Sequence, residues 1–350
     1  MSKIINDSIN TAVASDITEI QLDHGTGAKL SRELVGLIVD ELGDVYIGKM
    51  EDSAVLDLEC TRIAVTTDSF VVAPYIFGNG DIGKIAVCGT VNDLAVVGAT
   101  PIYLTLALIL EVGFPIVDLK KILRSIRLSA LEAGVKIVAG DTKVVGKGEA
   151  DGIFINTTGV GVVKSQALQM NAVKPGDNII VSGFLGNHTV HLLSIREGLG
   201  FETRVLSDCA VLNNAIASLM SATEVGAVRS MRDVTRGGLS AVLHEYAAVL
   251  NKTIIFEERL LPIQHETLMA TDMLGVNPLN LANEGCLCIF VSPKETDAVM
   301  AALKNIKETC HASVIGRVSD VTGAKVQMIA HSGNQVEIEE LVGAELPRLC

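Results

Sequence analysis

Positive charge and paired cysteines are both scarce in this sequence of 350 residues. It has 28 lysines and arginines against 41 aspartates and glutamates, which gives a formal net charge of -13. A nucleic-acid-binding protein needs basic stripes that release counterions from the phosphates, so neither DNA nor RNA is an expected partner. The seven cysteines form no Cys-x-x-Cys pair, which argues against a disulfide framework and against a tetrahedral zinc site.

Signals for export and for membrane insertion are also absent. The N-terminus has no basic segment followed by an apolar core, so we expect a cytoplasmic protein whose cysteines stay reduced. Residues 94–110 carry no charge, but the stretch is short and Gly98 and Pro101 interrupt it. This favours a helix, a turn and a strand over a membrane span.

Two common nucleotide-binding motifs are missing or incomplete. No G-x-x-x-x-G-K-S/T segment is present, so any ATP site is not of the P-loop type. Residues 78–83 match G-x-G-x-x-G, but Pro74 interrupts the preceding strand pattern and no carboxylate lies in the window around residue 103. These departures argue against NAD binding.

The pattern of apolar residues predicts an α/β protein with two domains. Segments with helical spacing alternate with β-branched segments, and 49% of the residues are hydrophobic, which is enough for a substantial core. A turn signal at residues 174–177 places the domain boundary near residue 170. We predict an N-terminal domain at residues 1–170, a second α/β domain at 171–332 and a C-terminal tail at 333–350.

Two helix starts in the second domain are also predicted. Residues 208–221 have helical spacing. Thr235 is predicted to be the N-cap of a helix that begins near Gly238.

Three aspartates stand at the ends of apolar strands or in glycine-rich turns, namely Asp68, Asp93 and Asp141. Carboxylate oxygens are the ligands that Mg²⁺ requires when it bridges the phosphates of a nucleotide. Lys84 and Lys143 could each bring a positive charge to a phosphate oxygen. Each aspartate alone is more typical of a helix cap or a turn, but together they predict a magnesium-nucleotide site.

A further carboxylate interrupts two apolar stretches at Asn283-Glu284-Gly285. Glu284 could act as a general base if a substrate nitrogen came within reach. His244 and Lys143 remain candidates for the same role.

The chain ends in Pro347-Arg348-Leu349-Cys350, which places a thiol on the last residue. A chain end is mobile unless it is tied down, so this thiol can travel to a site. Arg348 brings a permanent positive charge near the sulfur, which favours the thiolate form. The segment therefore resembles a carrier arm, although an accidental terminal cysteine is the alternative.

Taken in order, these segments resemble the HypE family, the carbamoyl dehydratases of NiFe hydrogenase maturation, within the aminoimidazole ribonucleotide synthetase-like superfamily. The resemblance covers nearly the whole length. Its motifs are His24-Gly25-Thr26-Gly27, Thr67-Asp68-Ser69, Asn79 to Lys84, Asn92-Asp93, Gly140 to Val145, Asp233 to Gly238, Asn283-Glu284-Gly285 and the terminal Pro-Arg-Leu-Cys.

The resemblance implies a fold, a cofactor set and a site. The fold would be two-domain α/β (α+β), with mixed sheets and a flexible C-terminal tail, and it would form a homodimer through the N-terminal domain. Mg²⁺ would be held by Asp68, Asp93 and Asp141. ATP would be bound by those three aspartates together with Asn79, Lys84, Asn92 and Thr142. The implied catalytic residues are Cys350 as the carrier, Glu284 for proton removal and Lys143 at the phosphate or the substrate.

The implied activity is an ATP-dependent dehydration of an S-carbamoyl group on Cys350 to a thiocyanate, which would supply the cyanide ligands of the hydrogenase iron centre. A carbamoyltransferase resembling HypF would load the thiol, and a scaffold resembling the HypC and HypD complex would receive the product. Two alternatives stay open. One is a synthetase of the same superfamily that acts on a small molecule, of the selenophosphate or ribonucleotide type, and the other is a metallochaperone that uses the terminal thiol.

Overall fold

The structure is a computed structural model that describes residues 18–25, 29–47, 62–164 and 168–341. Within these residues it contains eight α-helices and thirteen β-strands. The helices are α1 (Lys29–Leu42), α2 (Ile82–Val96), α3 (Ile116–Ala133), α4 (Asn187–Glu197), α5 (Asn213–Ala222), α6 (Gly238–Leu250), α7 (His265–Leu274) and α8 (Thr296–Lys304). The strands are β1 (Ile63–Phe70), β2 (Ile76–Phe77), β3 (Gly80–Asp81), β4 (Thr100–Glu111), β5 (Lys136–Val145), β6 (Ile153–Val162), β7 (Asn178–Val181), β8 (Val228–Asp233), β9 (Lys252–Glu257), β10 (Leu287–Val291), β11 (Ser313–Thr322), β12 (Val326–Ile329) and β13 (Gln335–Ile338).

The first domain is built on a four-stranded sheet with the strand order β1-β6-β4-β5. Strands β4 and β5 run parallel, and the other neighbours are antiparallel. Strand β1 alternates because one of its faces is partly buried and the other is exposed, which is the period expected of a half-covered sheet. Helix α2 is apolar on nearly all sides because the sheet, α3, α5 and β8 enclose it.

The second domain is built on a seven-stranded sheet with the order β13-β12-β9-β11-β7-β10-β8. Only β12 and β9 pair in parallel among these strands. Strand β10 is buried along its whole length because it lies inside the sheet with both faces covered. Tyr246 of α6 stacks on Phe290 of β10, with ring centroids 3.9 Å apart, and its hydroxyl shares a 2.6 Å hydrogen bond with Ser230.

The alternation of helices and strands confirms the predicted mixed α/β class. The predicted boundary near residue 170 falls between β6 and β7. The alternation of apolar and acidic residues at 336–341 predicts an edge strand, and β13 hydrogen-bonds to β12 at the edge of the second sheet, so this part of the predicted tail belongs to the sheet. The second domain therefore extends to at least Ile338.

The structure corrects the start of α5 and the N-cap of α6, whereas α6 begins at Gly238 as predicted. Helix α5 begins at Asn213 and not at residue 208, since backbone groups of Ser207, Ala210 and Leu212 are hydrogen-bonded to side chains of the first domain. The N-cap of α6 is Gly237, which has a φ of 75°, and Thr235 accepts the N-H of Gly238 through its carbonyl oxygen. A positive φ explains why a glycine and not a threonine occupies the cap.

Across the described ranges, no helix is both long and apolar enough to cross a membrane.

Candidate active site

A cavity of about 790 Å³ lies between the two domains. One wall is formed by β1 and α2 of the first domain, and the other by β8, the residues between β8 and α6, and the loop before β10. A space of this size can hold a nucleotide, and a cleft between domains is a common place for a ligand. Three of the ionisable residues predicted from the sequence, Asp68, Asp93 and Glu284, are among those that line it.

Asp68 and Asp93 meet on the first wall. Asp68 lies near the end of β1, and Asp93 lies in the last turn of α2. The Oγ1 of Thr66 donates a 2.8 Å hydrogen bond to Oδ2 of Asp93. Burial and the adjacent Asp93 carboxyl raise the pKa of Asp68 to about 6. The negative charge of Asp93 opposes the ionisation of Asp68, and a bound cation would offset this repulsion.

The second wall brings three charged residues of the motif at 232–238 to the same space. Arg232, Asp233 and Arg236 all line the cavity. Burial and the charge of Asp93 raise the pKa of Asp233 to about 7, while Arg232 opposes the rise. The two arginines are well placed to pair with an anion, because guanidinium groups bind phosphate oxygens strongly.

Glu284 lines the cavity and is only 5% exposed. Burial raises its pKa well above the usual range, and the neighbouring Cys209 and Asp208 add to the rise. A carboxyl in this setting is a strong proton acceptor once it has ionised. Sequence reasoning had identified Glu284 from its place between two apolar stretches, and the structure puts it beside the aspartate pair.

The other predicted site residues of β5 lie elsewhere in the protomer. Strand β5 is at the opposite edge of the sheet from β1. Asp141 and Lys143 pair in register with Ala107 and Ile109, so both lie on the outer face of the sheet, whereas Asp68 lies on the inner face. Their side chains are exposed, with Nζ of Lys143 3.6 Å from Oδ2 of Asp141. Thr142 pairs in register with the buried Leu108 and lies on the other face, and none of Asp141, Thr142 and Lys143 lines the cavity of one protomer.

Asn79 and Asn92 are engaged at the contact between the domains. The carboxamide of Asn79 donates to the carbonyl of Ser207 at 2.7 Å and accepts the N-H of Ser207 at 3.1 Å. The carboxamide of Asn92 donates to the carbonyl of Ala210 at 3.0 Å and accepts the N-H of Leu212 at 2.8 Å. Neither residue is among those that line the cavity. Lys84 also faces this contact, where its positive charge opposes the rise in the pKa of Asp208.

His244 is held away from the cavity. Its Nδ1 lies 2.8 Å from the carbonyl oxygen of Ser240, and its Nε2 lies 3.0 Å from that of Ile338. Cys350 lies outside the described residues. In the part of the chain that the structure describes, no group of three or more His, Cys, Asp or Glu side chains is arranged to hold a metal by itself.

Sequence reasoning did not place Asp208 and Asp233 in the site. Asp233 carried a usable signal, because it ends a strand and precedes a Gly-Gly pair. Asp208 carried none, since its role depends on backbone N-H groups that are 76 and 77 residues away along the chain.

The fold and this cavity define a class. Residues 50–163 match the family model of the AIR synthase related protein N-terminal domain, and residues 174–329 match that of the C-terminal domain.

Within this class, curated relatives identify the family. A protein of Rhodobacter capsulatus named carbamoyl dehydratase HypE is 41% identical over 337 residues, which cover 95% of this chain and 98% of the relative. A solved structure of the hydrogenase maturation protein HypE in complex with ATP has a TM-score of 0.89 at 38% identity, and it covers 94% of this chain and 99% of that one. A chain from a solved HypE-HypF complex has a TM-score of 0.76 at 41% identity and covers 88% and 99% of the two chains. The chain belongs to the HypE family.

Proposed function

We propose that this protein uses ATP to dehydrate a carbamoyl group carried on its own Cys350, giving a thiocyanate that serves cyanide ligand synthesis for a NiFe hydrogenase. The observation that carries the proposal is the meeting of Asp68 and Asp93 from one domain with Glu284 from the other at a single cavity. The named activity of the relatives and the ATP-bound neighbour support it.

Asp68 and Asp93 are the residues that would hold Mg²⁺. Mg²⁺ commonly uses one or two carboxylates and completes its coordination with phosphate oxygens and water, so a pair of aspartates is a sufficient protein contribution. Arg232 and Arg236 on the facing wall would contact the phosphates. Bound ATP would supply the phosphoryl group that turns the carbamoyl oxygen into a leaving group.

Glu284 would act on the carbamoyl nitrogen. Loss of the oxygen and of both N-H protons converts S-CO-NH₂ into S-CN, so the reaction needs a proton acceptor beside the nitrogen. The raised pKa of Glu284 makes its carboxylate a strong acceptor, and its burial keeps water away from the reacting group. Cys350 would keep the carbon attached throughout, so nothing reactive is released.

A second copy of the chain would bring Asp141, Thr142 and Lys143 to the site. The outer face of the first sheet carries exposed apolar side chains, with Ile63 53% and Val65 60% exposed. Val65 is in register with Val160, and Asp141 and Lys143 lie on this same face at the far edge. A homodimer that packs these faces together would cover the apolar residues and place β5 of one protomer near β1 of its partner.

The partners follow from the chemistry. A carbamoyltransferase of the HypF type would load Cys350, as the solved complex between members of the two families suggests. A scaffold of the HypC and HypD type would accept the product. The carrier thiol must stay reduced between cycles, which fits the cytoplasm.

The test measures what happens to the carbamoyl group on Cys350. Protein carbamoylated at Cys350 and given Mg²⁺-ATP is expected to lose one water from its C-terminal peptide, as measured by mass spectrometry. Cys350→Ala should show no such loss, and Glu284→Gln should keep its carbamoyl group. Hydrolysis of ATP without any change at Cys350 would instead favour a synthetase that acts on a small molecule.

The dimeric site has a separate test. Asp141→Asn and Glu284→Gln are each expected to be inactive alone. When they are mixed and allowed to exchange protomers, one site of each mixed dimer contains no substituted residue, so about a quarter of the wild-type activity should return. Absence of recovery in dimers shown to have exchanged would exclude a contribution of Asp141 from the partner.

A further inference from the structure

The segment at residues 207–212 joins the two halves of the site. It connects α4 to α5 in the second domain, yet its backbone is held by Asn79 and Asn92 of the first domain through four hydrogen bonds. Asn92 precedes Asp93 on α2, so adjacent residues of one helix reach the segment and the cavity.

Asp208, within this segment, binds the backbone of the loop that carries Glu284. Its Oδ1 accepts the N-H of Glu284 at 3.0 Å, and its Oδ2 accepts the N-H of Gly285 at 3.1 Å. The two main chains also touch, because a Cβ on Gly285 would lie 2.0 Å from the carbonyl oxygen of Asp208. Only glycine permits this approach.

The loop of Glu284 depends on such bonds for its position. It precedes β10 and has no regular secondary structure. On the other side of Glu284, the Asn283 carboxamide accepts the N-H of Gly186 at 2.7 Å and donates to the carbonyl of Val234 at 2.8 Å. Asn283 thus fixes the loop to the second domain, while Asp208 fixes it to the segment that the first domain holds.

We propose that Asp208 is a positioning residue, which holds the backbone of Glu284 so that its carboxyl stays at a set place relative to the Asp68 and Asp93 pair. This rests on the proposed function, in which Glu284 is the proton acceptor. The connection runs from α2 through Asn92 to residues 207–212 and then through Asp208 to Glu284. Each step is a hydrogen bond or a peptide bond.

Asp208 also acts on Glu284 through its charge. The ionisable groups that face Glu284 are Cys209, Asp208, Asp233 and Asp68, and burial with these neighbours raises the pKa of Glu284. Lys84 faces Asp208 from α2 and opposes the rise in the pKa of Asp208 itself. Removal of the Asp208 charge should therefore move the ionisation of Glu284 toward lower pH.

The test compares Asp208→Asn with Asp177→Asn. Asp177 is a matched control, because its Oδ2 accepts the N-H of Lys174 at 2.8 Å in the same domain but it does not line the cavity. For Asp208→Asn, the rate of ATP-dependent water loss from the carbamoylated protein should fall by about 10²-fold, since a misplaced base of this kind loses that much. The KM for ATP should stay unchanged, and the acid limb of the pH profile should shift to lower pH. Asp177→Asn should show neither change.

Other results distinguish the positioning role of Asp208 from the proposed function. A wild-type rate and pH profile for Asp208→Asn, together with an inactive Glu284→Gln, would overturn the role of Asp208 and leave the proposed function intact. Full activity of Glu284→Gln would show that Glu284 is not the proton acceptor. Should Asp208→Asn fail to fold, hydrogen exchange on the wild-type protein still decides: the amides of Glu284 and Gly285 should be as protected as those of β10, and rapid exchange at both would contradict the proposal.

Discussion

Replacement of Asn92 by alanine should weaken the contact between the domains more than any comparable change at Asn79. Asn92 is 3% exposed and makes two hydrogen bonds to backbone groups of Ala210 and Leu212. Its loss leaves a carbonyl and an N-H without a partner in a buried place. Each such group costs about 1–3 kcal/mol, so the free energy of unfolding should fall by roughly 2–6 kcal/mol.

Asn79 provides the matched comparison, because it also makes two hydrogen bonds to one backbone segment but is exposed. Water can replace its carboxamide, so Asn79→Ala should cost only about 1 kcal/mol. Asn92→Asp adds a finer probe, since it keeps the acceptor for Leu212 but sets a carboxylate oxygen against the carbonyl of Ala210.

Urea unfolding of the two alanine variants measures the difference, and the comparison is valid where the slopes of the transitions agree. Hydrogen exchange locates the effect, because the amide of Leu212 should lose protection in Asn92→Ala and that of Ser207 in Asn79→Ala. Equal losses of stability in the two variants, or full protection of Leu212 in Asn92→Ala, would refute the reasoning.

Three further predictions concern the cores of the second domain and the site. Gly285→Ala should lower the free energy of unfolding in urea by more than about 3 kcal/mol, because the new Cβ would collide with the backbone. Gly183→Ala is the control and should cost about 1 kcal/mol or less, because the atom nearest to its new Cβ is 3.8 Å away. Similar losses of stability in the two variants would contradict the close packing at Gly285. The pKa of Asp208 is raised by burial from 3.8 to about 6, so the folded state holds its proton to higher pH. The stability of the wild type relative to Asp208→Asn should therefore fall by about 2 kcal/mol between pH 4 and pH 7. A constant difference in urea unfolding would show that this carboxyl titrates normally. Tyr246→Phe should lower the stability measured by thermal unfolding by about 1–2 kcal/mol, because the buried hydroxyl of Ser230 loses its partner at 2.6 Å. The further change Ser230→Ala should restore part of this stability. No recovery in the double variant would show that the hydroxyl pair is unimportant.

Much of the fold follows from local patterns. The alternation of helices and strands was predictable from apolar periodicity, which depends only on neighbours along the chain. The start of α5 could not be predicted in this way. Residues 207–212 have helical spacing, but their hydrogen-bonding groups are used by Asn79 and Asn92, and that competition exists only once the domains have come together.

The residues of the candidate site likewise differ in how far local sequence predicts their position. Asp68, Asp93 and Glu284 were identifiable because each carboxylate interrupts or ends an apolar run, and the structure places all three at one cavity. Asp141 has the same local signal, but the order and the faces of the strands put it on the other side of the sheet. Sequence spacing carries no information about which face of a sheet two distant strands present to each other.

By itself the sequence determined the mixed α/β class and the family, and it predicted the two carboxylates of the first domain and Glu284 as site residues, since composition and short motifs encode side-chain chemistry directly. Only the tertiary structure decided that these groups face one another across a cleft, that Asn79 and Asn92 hold the domains together, and that Asp208 supports the loop of Glu284. The physical reason is that these contacts join backbone groups far apart along the chain. A backbone N-H or carbonyl is the same for nearly every residue type, so the sequence gives no sign of its distant partner.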